Sequence, residues 1–489
     1  MIKFSKKFIS FLLLIVLFIL NTSSFCFSEA IWPKYDEQIY SKSAIVLDAD
    51  SGVILYEKNP NERMYPASIV KVMTAVVTLD SVLNLNETVN FTYNAVTKDI
   101  DKNSTTIGAS AGDTLTVKEC LYSILLPSAN DAANALAEHV AGSINDFVLL
   151  MNNKAKELGM NDTNFTNPSG LHDDNQYTTA HDLSLLMQYA ISKPMFLQIS
   201  STFSFTHAPI RKYKNPNNSN NTVLNNNNMI TPGSRYYYNR TTSGKTGHTK
   251  EAGYNIACSA RENNMNLVFV GLGCSKIEQR FLDAISLFKF CYKNYKSLLI
   301  NKTDFRFNYD VDTLTINRIK LVDILKLTCK DNYHVTMPMN VNFDDLESVL
   351  TFNMENSYDN KNAIGSIQYY LDGKPVGMCY IEGLYDEKDE NIYVNYLDTS
   401  TTKTLNKNIE NSRINENINN KSKLIYKNKT GKLVISRSLV NIFKYFLITI
   451  LIITISLLIY NYILKNLKFN IVKTIRRFII RITHRKYFK

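Results

Sequence analysis

Three short motifs in this chain bring together residues that can perform acyl transfer on a serine. They are Ser68-Ile-Val-Lys71, Ser128-Ala-Asn130 and Lys245-Thr246-Gly247, in that order. Each motif alone arises often by chance, so the argument depends on their order and structural context. A serine hydroxyl is a weak nucleophile that needs an adjacent base, and a neutral lysine amine is able to act as one. The set predicts Ser68 as nucleophile and Lys71 as general base and proton acceptor.

The pKa of Lys71 has to be lowered for this chemistry, because an ordinary lysine with a pKa of about 10.4 is protonated at neutral pH. Lys245 is the predicted cause. Two positive charges about 4 Å apart repel each other by roughly 4 kcal/mol at an effective dielectric of 20. That energy corresponds to about three pKa units. Partial burial would act in the same direction.

The second motif lies at a predicted break between two helices, where side chains can face a cleft. Ser128 is a candidate relay for the proton that passes from Lys71 to the leaving amine. Asn130 carries a donor and an acceptor, which suits a peptide amide of the substrate.

The third motif is predicted on a strand, 242–249, whose edge could pair with an extended substrate. Lys245 and Thr246 could hold a terminal carboxylate, and Gly247 would let the substrate backbone approach closely. The backbone N–H groups of Ser68 and His248 are candidates for an oxyanion hole.

Periodicity predicts the elements that carry these motifs. Ser68 and Lys71 lie three apart on a predicted helix, so they share a face. Strands come first, then several helices, then strands and a last helix, which predicts an α+β fold with an antiparallel sheet and an inserted helical block. The predicted strands are 43–48, 53–56, 242–249, 254–260 and 266–273, and the predicted helices are 68–79, 117–126, 131–140, 144–158, 179–191 and 277–295.

Other chemistries fit less well. A phosphate-binding loop ending in Gly244-Lys-Thr would need a glycine where Asn239 stands. No Gly-x-Ser-x-Gly elbow surrounds Ser68 or Ser128, so a Ser–His–Asp site is not expected. No metal or cofactor is expected, since paired metal-ligand spacing is missing. The histidines interpreted as structural are His139, His172, His181 and His207.

The formal net charge of +11 over 489 residues is concentrated at the two ends. Residues 1–28 hold three lysines and 465–489 hold nine basic residues, with no acid in either range. The body between them is nearly neutral, so nucleic-acid binding has no support. Residues 1–30 resemble a signal peptide, with a cleavage site at Ser28-Glu-Ala30; an uncleaved anchor helix is the alternative. Either predicts export.

The C-terminal part predicts membrane attachment. Tyr445 to Leu464 is long and apolar enough to cross a bilayer, within a transmembrane helix placed at 441–464. The basic tail 465–489 would then lie in the cytoplasm, either on the inner leaflet or solvated. Residues 396–440 are predicted as a flexible linker.

The remaining segments carry weaker signals. Residues 299–395 alternate in short runs, with a hairpin at Asp372-Gly373, and predict a small all-β domain. The Asn-rich stretch 214–228 is interpreted as a low-complexity loop. Seven cysteines lack C-x-x-C spacing, so zinc is not expected and most are predicted to be free buried thiols.

The motifs in context resemble the serine-type D-alanyl-D-alanine carboxypeptidases, the low-molecular-mass penicillin-binding proteins. The resemblance covers residues 35–395 and is carried by Tyr65-Pro-Ala-Ser-Ile-Val-Lys71, Leu126-Pro-Ser-Ala-Asn-Asp-Ala-Ala133, Asn167-Pro-Ser-Gly-Leu-His-Asp173 and Gly244-Lys-Thr-Gly-His-Thr249. It implies a β-lactamase/transpeptidase-like catalytic domain over 31–298 and a β-rich domain after it. It also implies removal of the terminal D-alanine of peptidoglycan pentapeptide through an acyl-enzyme at Ser68, with β-lactam antibiotics as inhibitors. The expected place is the outer face of the cell membrane, facing the cell wall.

Two alternatives stay open at this point. A β-lactamase would need a glutamate that positions water for deacylation, and no Glu-x-x-Leu-Asn run follows Asn130. A catalytically inert penicillin-binding or scaffold protein would not need Ser68, Lys71 and Lys245 intact.

Overall fold

The computed structural model describes residues 32–98, 100, 104–211, 221–300, 315–316, 319–320, 326–329, 333–352, 363–384, 425–427, 433–435 and 474–475. The chain divides into two units, Met1–Asp386 and Glu387–Lys489. Within the second unit, two short strands pair with each other in an antiparallel hairpin. All other strands and the helices named below belong to the first unit.

The strands of the described residues are numbered here in chain order. They are β1 Ser43–Asp48, β2 Ile54–Lys58, β3 Thr88–Asn90, β4 Thr114–Thr116, β5 Ser204–Thr206, β6 Thr222–Leu224, β7 Thr241–Thr249, β8 Gly253–Glu262, β9 Met265–Cys274, β10 Tyr295–Leu299, β11 Thr315–Ile316, β12 Ile319–Lys320, β13 Lys326–Cys329, β14 His334–Pro338, β15 Glu347–Phe352, β16 Ala363–Leu371, β17 Lys374–Leu384, β18 Ile425–Lys427 and β19 Leu433–Ile435.

The α-helices are numbered in the same way. They are α1 Val70–Ser81, α2 Tyr93–Thr97, α3 Val117–Leu125, α4 Asn130–Ala141, α5 Ile144–Glu157, α6 Ala180–Ile191, α7 Pro194–Ser200 and α8 Gln279–Asn294. Hydroxyl side chains cap several of them as expected for helix starts. Thr116, for example, forms a capping box with Glu119 at the start of α3.

The central sheet has five antiparallel strands in the order β2-β1-β9-β8-β7, so β7 is an edge strand. Both faces of this sheet are covered, because alternate side chains of a strand point to opposite faces. In β1, Ile45 and Leu47 belong to the core that contains α1. Ala44 and Val46 belong to the core that contains α8. The predicted α+β class is therefore confirmed.

Helix α1 runs through the first of these cores. All of its residues from Val70 to Thr78 are buried, which fits a helix that is apolar around its whole circumference. Lys71 is the one charged side chain in that buried run, so it cannot reach bulk water as an ordinary lysine does. Its position is the first sign that the segment serves chemistry and not packing alone.

A second sheet follows α8 and contains the strands of the predicted all-β region. Its order is β10-β14-β17-β16-β15, with β13 also paired to β17. The predicted hairpin at Asp372-Gly373 is confirmed, because β16 and β17 pair around it with Leu371 opposite Lys374. Buried polar contacts join this sheet to the first one: Thr336 of β14 donates to the Asp48 carboxylate and lies 2.7 Å from the Ser51 hydroxyl.

Three sequence predictions need correction or lie outside the described residues. Ser68 stands in a 3-10 turn, Ala67–Ile69, and the α-helix begins only at Val70. The Asn-rich stretch is not a loop throughout, because Thr222–Leu224 forms β6 and Asn225 and Asn227 are buried. None of the described helices is long and apolar enough to span a membrane, and the predicted span 441–464 lies outside the described residues.

Four of the described cysteines are free and buried, in agreement with the prediction for most of the set: Cys120, Cys258, Cys274 and Cys291. Cys379 is buried as well. Burial raises the pKa of the Cys274 thiol to about 12, so this side chain is an unreactive thiol at neutral pH.

Candidate active site

The nucleophile segment is held in an uncommon backbone conformation. Ala67, directly before Ser68, has φ +50°, a left-handed value that is unfavourable for residues other than glycine. Gly170 packs on it so closely that a Cβ at position 170 would lie 2.1 Å from the Ala67 carbonyl oxygen. Ser68 itself is partly exposed. The fold therefore presents the Ser68 hydroxyl at the surface of a cleft while its neighbours are fixed.

Lys71 lies beneath Ser68, on the next turn. Its Nζ donates to Ser68 Oγ at 3.2 Å, to Asn130 Oδ1 at 2.7 Å and to the Ser169 carbonyl oxygen. The first contact follows from the local geometry, since side chains three residues apart come together in this tight turn. A base within hydrogen-bond distance of a serine hydroxyl is the arrangement that general-base activation requires.

The pKa of Lys71 is held well below its ordinary value. Burial is the largest cause, the charge of Lys245 is the second, and Asp131 acts in the opposite direction. The sequence argument ranked these causes in the wrong order, because it could not know that α1 is enclosed on all sides. Desolvation of the ammonium form explains most of the shift. The environment of Lys71 therefore favours the neutral amine next to Ser68 far more than solvent would.

The second motif reaches the same point from the start of α4. Asn130 is the first residue of that helix and accepts from Lys71, while its backbone N–H donates to the Thr105 carbonyl at 2.7 Å. Ser128 has φ +77°, again left-handed. Its hydroxyl oxygen is buried and makes no hydrogen bond within the described part of the chain. Because a buried hydroxyl without a hydrogen-bond partner is costly, a substrate group that bonds to the Ser128 hydroxyl would be stabilised here.

Asn226 holds the chain just before Ser128. Its backbone N–H donates to the Leu126 carbonyl at 3.1 Å, and its side-chain amide donates to the Pro127 carbonyl at 2.9 Å. The role of Asn226 was not predicted, because the Asn-rich stretch 214–228 was interpreted only as a low-complexity loop. The residue type offered one indication, since asparagine side chains often form hydrogen bonds with backbone groups in loops.

The third motif lies on edge strand β7. Lys245 is buried, and its Nζ donates to the Thr246 carbonyl at 2.8 Å. Burial and the charge of Arg280 lower its pKa to about 7. Thr246 is also buried, whereas the His248 ring is exposed and stacks on Tyr254 with centroids 4.1 Å apart.

Gly247 brings the strand close to the nucleophile. A Cβ at this position would lie 3.0 Å from the Pro66 carbonyl oxygen and 3.1 Å from the Ser68 amide nitrogen. The sequence argument expected the glycine to make room for the substrate backbone. The structure shows that it makes room for the nucleophile segment, because its missing side chain would point toward Ser68.

Arg280, at the start of α8, is a further charged residue of this site that sequence reasoning missed. It is buried, and its Nη1 donates to the Gly247 and Asn255 carbonyls at 3.3 and 3.4 Å. Its Nε has no partner within the described residues, and burial lowers its pKa to about 10. A signal existed: Arg280 stands where an apolar residue belongs, on the buried stripe continued by Ala284, Leu287 and Cys291.

The structure brings together five of the residues that the sequence singled out, whereas the Ser128 hydroxyl forms no hydrogen bond with them. Ser68, Lys71 and Asn130 form one hydrogen-bonded cluster. The positive charge of Lys245 helps to lower the pKa of Lys71. Gly247 packs against the Ser68 backbone.

Comparisons with known proteins agree with this geometry. A family model described as D-alanyl-D-alanine carboxypeptidase matches residues 30–276. The chain is 30% identical over 261 residues to D-alanyl-D-alanine carboxypeptidase DacF of Bacillus subtilis, which is 53% of this chain and 63% of that protein. It is 26% identical over 366 residues to D-alanyl-D-alanine carboxypeptidase DacA of Haemophilus influenzae, which is 73% of this chain and 87% of that one.

Solved structures show the same fold. Penicillin binding protein 5 from Haemophilus influenzae matches with a TM-score of 0.55 and 25% identity, over 72% of this chain and 99% of that one. Penicillin binding protein 6B from Escherichia coli matches with a TM-score of 0.54 and 24% identity, over 72% and 97% respectively. The penicillin-binding-protein type of α+β fold therefore extends beyond the catalytic sheet into the second one.

Proposed function

Because this chain belongs to the D-alanyl-D-alanine carboxypeptidase family, we propose that it removes the terminal D-alanine from peptidoglycan pentapeptide. The reaction passes through an ester between Ser68 and the penultimate D-alanine. The observation that carries the proposal is the buried Lys71 amine 3.2 Å from the Ser68 hydroxyl. Its lowered pKa supports the role of a base.

The acylation step uses residues of all three motifs. Lys71 takes the proton of Ser68 as Oγ attacks the carbonyl carbon of the penultimate D-alanine. The backbone N–H groups of Ser68 and His248 hold the oxygen that becomes negative. When the C–N bond breaks, Ser128 gives its hydroxyl proton to the departing amine of D-alanine and takes the proton held by Lys71. Water then hydrolyses the ester and regenerates Ser68.

The terminal carboxylate of the substrate is held by Lys245 and Thr246, with Arg280 behind them. Three features support this assignment: the two cations are buried, they repel each other, and Arg280 Nε lacks a partner among the described residues. A bound carboxylate relieves that repulsion and raises the pKa of Lys245 again. Asn130 is placed to bond the substrate amide.

The test is D-alanine release from a peptide ending in D-Ala-D-Ala, together with labelling by a fluorescent penicillin, which would acylate the same serine. The intact protein is expected to release D-alanine and to form a long-lived adduct, whereas Ser68→Ala is expected to do neither. Failure of the intact protein to release D-alanine, or release by Ser68→Ala at the rate of the intact protein, would refute the proposal. Rapid turnover of the penicillin would instead indicate a β-lactamase.

We also propose that the protein is exported and held at the membrane by its C-terminal end, with the catalytic unit facing the cell wall. The support is the sequence: a basic and apolar start, the apolar run 445–464, and the nine basic residues after it. Protease treatment of intact cells tests the orientation. External cleavage within 465–489 would contradict it.

A further inference from the structure

A short turn beside Lys71 takes no part in the steps above, and the buried side chain of Asn167 holds it together. Asn167 Oδ1 accepts the backbone N–H groups of Ser169 and Gly170 at 3.2 and 2.7 Å and the Ser169 hydroxyl at 3.1 Å. Its Nδ2 donates to the Leu171 carbonyl at 3.0 Å. One side-chain amide therefore fixes three successive residues of the turn.

The Ser169 carbonyl connects this turn, residues 167–171, to the base. It accepts a hydrogen bond from Lys71 Nζ. The carbonyl belongs to the same peptide unit as the Gly170 N–H, and a planar trans peptide directs its C=O and its N–H to opposite sides. Asn167 Oδ1 holds the N–H on one side, so the carbonyl is aimed at Lys71 on the other.

The neighbours of Lys71 Nζ determine where its lone pair points. A lysine amine must be neutral to act as a base, and it then has two N–H groups and one lone pair. Two of its three hydrogen-bond neighbours among the described residues, Asn130 Oδ1 and the Ser169 carbonyl oxygen, can only accept. Both N–H groups of the neutral amine are therefore directed at them. The lone pair is left facing the third neighbour, the Ser68 hydroxyl 3.2 Å away.

We propose that Asn167 is a positioning residue for the base of this site. By holding the Ser169 carbonyl, it directs the lone pair of Lys71 toward the Ser68 hydroxyl. The inference rests on the proposed function, in which Lys71 takes the proton of Ser68. Without this hold, the amine can turn and donate an N–H to Ser68, an arrangement in which it cannot accept the hydroxyl proton.

The experiment measures the rate constant of acylation by a fluorescent penicillin at several pH values, in the full-length protein and in Asn167→Ala. A rate constant, unlike the amount of adduct, does not depend on how much of the protein is folded. In Asn167→Ala the maximal rate constant is expected to fall at least about tenfold, which is part of what a general base contributes. Thr74 Oγ1 donates to the Pro168 carbonyl at 2.7 Å, so the turn stays attached to α1 in this variant.

The pH dependence separates positioning from a loss of stability. The rate constant rises with pH as Lys71 loses its proton. The Ser169 carbonyl stabilises the protonated form, so a carbonyl that turns away lowers the pKa of Lys71. The midpoint of the rise is therefore expected to move down by about one pH unit, the size given by a hydrogen bond to a charged group. The charged groups are the same in both proteins: Lys245 of β7 and Asp131 of α4 act on Lys71, and Arg280 of α8 acts on Lys245.

Two further variants serve as controls. Asn167→Asp keeps the oxygen that accepts the Gly170 N–H, so it should recover most of the lost rate. Asn152→Ala removes an asparagine that bonds the Phe165 backbone N–H and carbonyl at 2.9 and 2.8 Å, just before the turn. It should lower the urea midpoint of unfolding as Asn167→Ala does, yet keep the rate constant and the pH midpoint of the intact protein.

A normal rate constant or an unmoved pH midpoint in Asn167→Ala would overturn the role of Asn167. An equal slowing in Asn152→Ala would do the same, because the effect would then be one of stability. D-alanine release by the intact protein is measured separately. Its absence would overturn the proposed function, whereas the acylation rate constants alone decide the role of Asn167.

Discussion

Gly170→Ala should disable the nucleophile while leaving its side chain in place. A Cβ at position 170 would lie 2.1 Å from the Ala67 carbonyl oxygen and 2.9 Å from the Ser68 amide nitrogen. Ordinary contact needs 3.4 Å or more, so the segment carrying Ser68 has to move by about 1 Å. A displacement of that size can reduce a rate by about 100-fold. We expect acylation by a fluorescent penicillin to slow by about that factor.

Backbone strain has to be separated from this displacement, because Gly170 also has φ +80°. Gly233 has the same φ, and nothing lies within 4 Å of the Cβ that an alanine would add there. Gly233→Ala should therefore lose about 1 kcal/mol of unfolding free energy and acylate at the normal rate. Urea unfolding gives the first quantity, and the time course of labelling gives the second.

Two results would refute this reasoning. Normal acylation by Gly170→Ala would mean that the Ala67–Ser68 segment adjusts without moving the nucleophile. An equal slowing in Gly233→Ala would mean that strain anywhere in the chain affects the assay. Under the present reasoning only position 170, which touches the segment, slows the chemistry.

Three further outcomes follow from the site. Lys71→Ala should slow acylation by about 100- to 10,000-fold through loss of the base, and near-normal labelling by a stopped-flow assay would contradict that role. Lys245 has a pKa of about 7 when folded and about 10.4 when unfolded; between these values the unfolded chain binds more protons, so the unfolding free energy should rise with pH. Urea unfolding at several pH values between 7 and 10 should give a shallower rise for Lys245→Gln, and equal slopes would speak against it. Asn226→Ala should slow acylation several-fold by loosening the loop before Ser128, with partial recovery in Asn226→Gln; a change in stability without a change in rate would leave Asn226 a structural residue only.

The sequence predicted the reaction type of the site better than it predicted the local geometry. The three motifs and the elements that carry them were predictable, because periodicity marks helices and strands and the residue types mark the reaction. The turn at Ala67–Ile69 was not, since its left-handed Ala67 depends on Gly170, about a hundred residues away in the chain. Asn226 was missed for a related reason: its partners, the carbonyls of Leu126 and Pro127, are also distant in sequence.

The causes of the pKa shifts were also only partly predictable from the sequence. Sequence reasoning named Lys245 as the cause of the lowered pKa of Lys71, but burial contributes more. It also left out Arg280, which lowers the pKa of Lys245 in turn. Burial of a given lysine depends on how α1 and β7 pack together, which no local pattern of residues reveals.

Under the proposed function, three buried basic side chains, Lys71, Lys245 and Arg280, should favour a substrate with a free terminal carboxylate over an internal peptide bond. The charge of Arg280 lowers the pKa of Lys245, and the charge of Lys245 lowers the pKa of Lys71, where the buried carboxylate of Asp131 acts in the opposite direction. Without a substrate, Lys245 is only partly protonated at neutral pH. A bound carboxylate supplies the missing negative charge, so it stabilises the protonated form of Lys245. That restored charge then acts on Lys71 and favours its neutral form, which is the form that can accept the proton of Ser68. A peptide amide at the same position carries no charge and would leave Lys245 partly neutral, so a preference for the chain end is the expected consequence of the charges in the site.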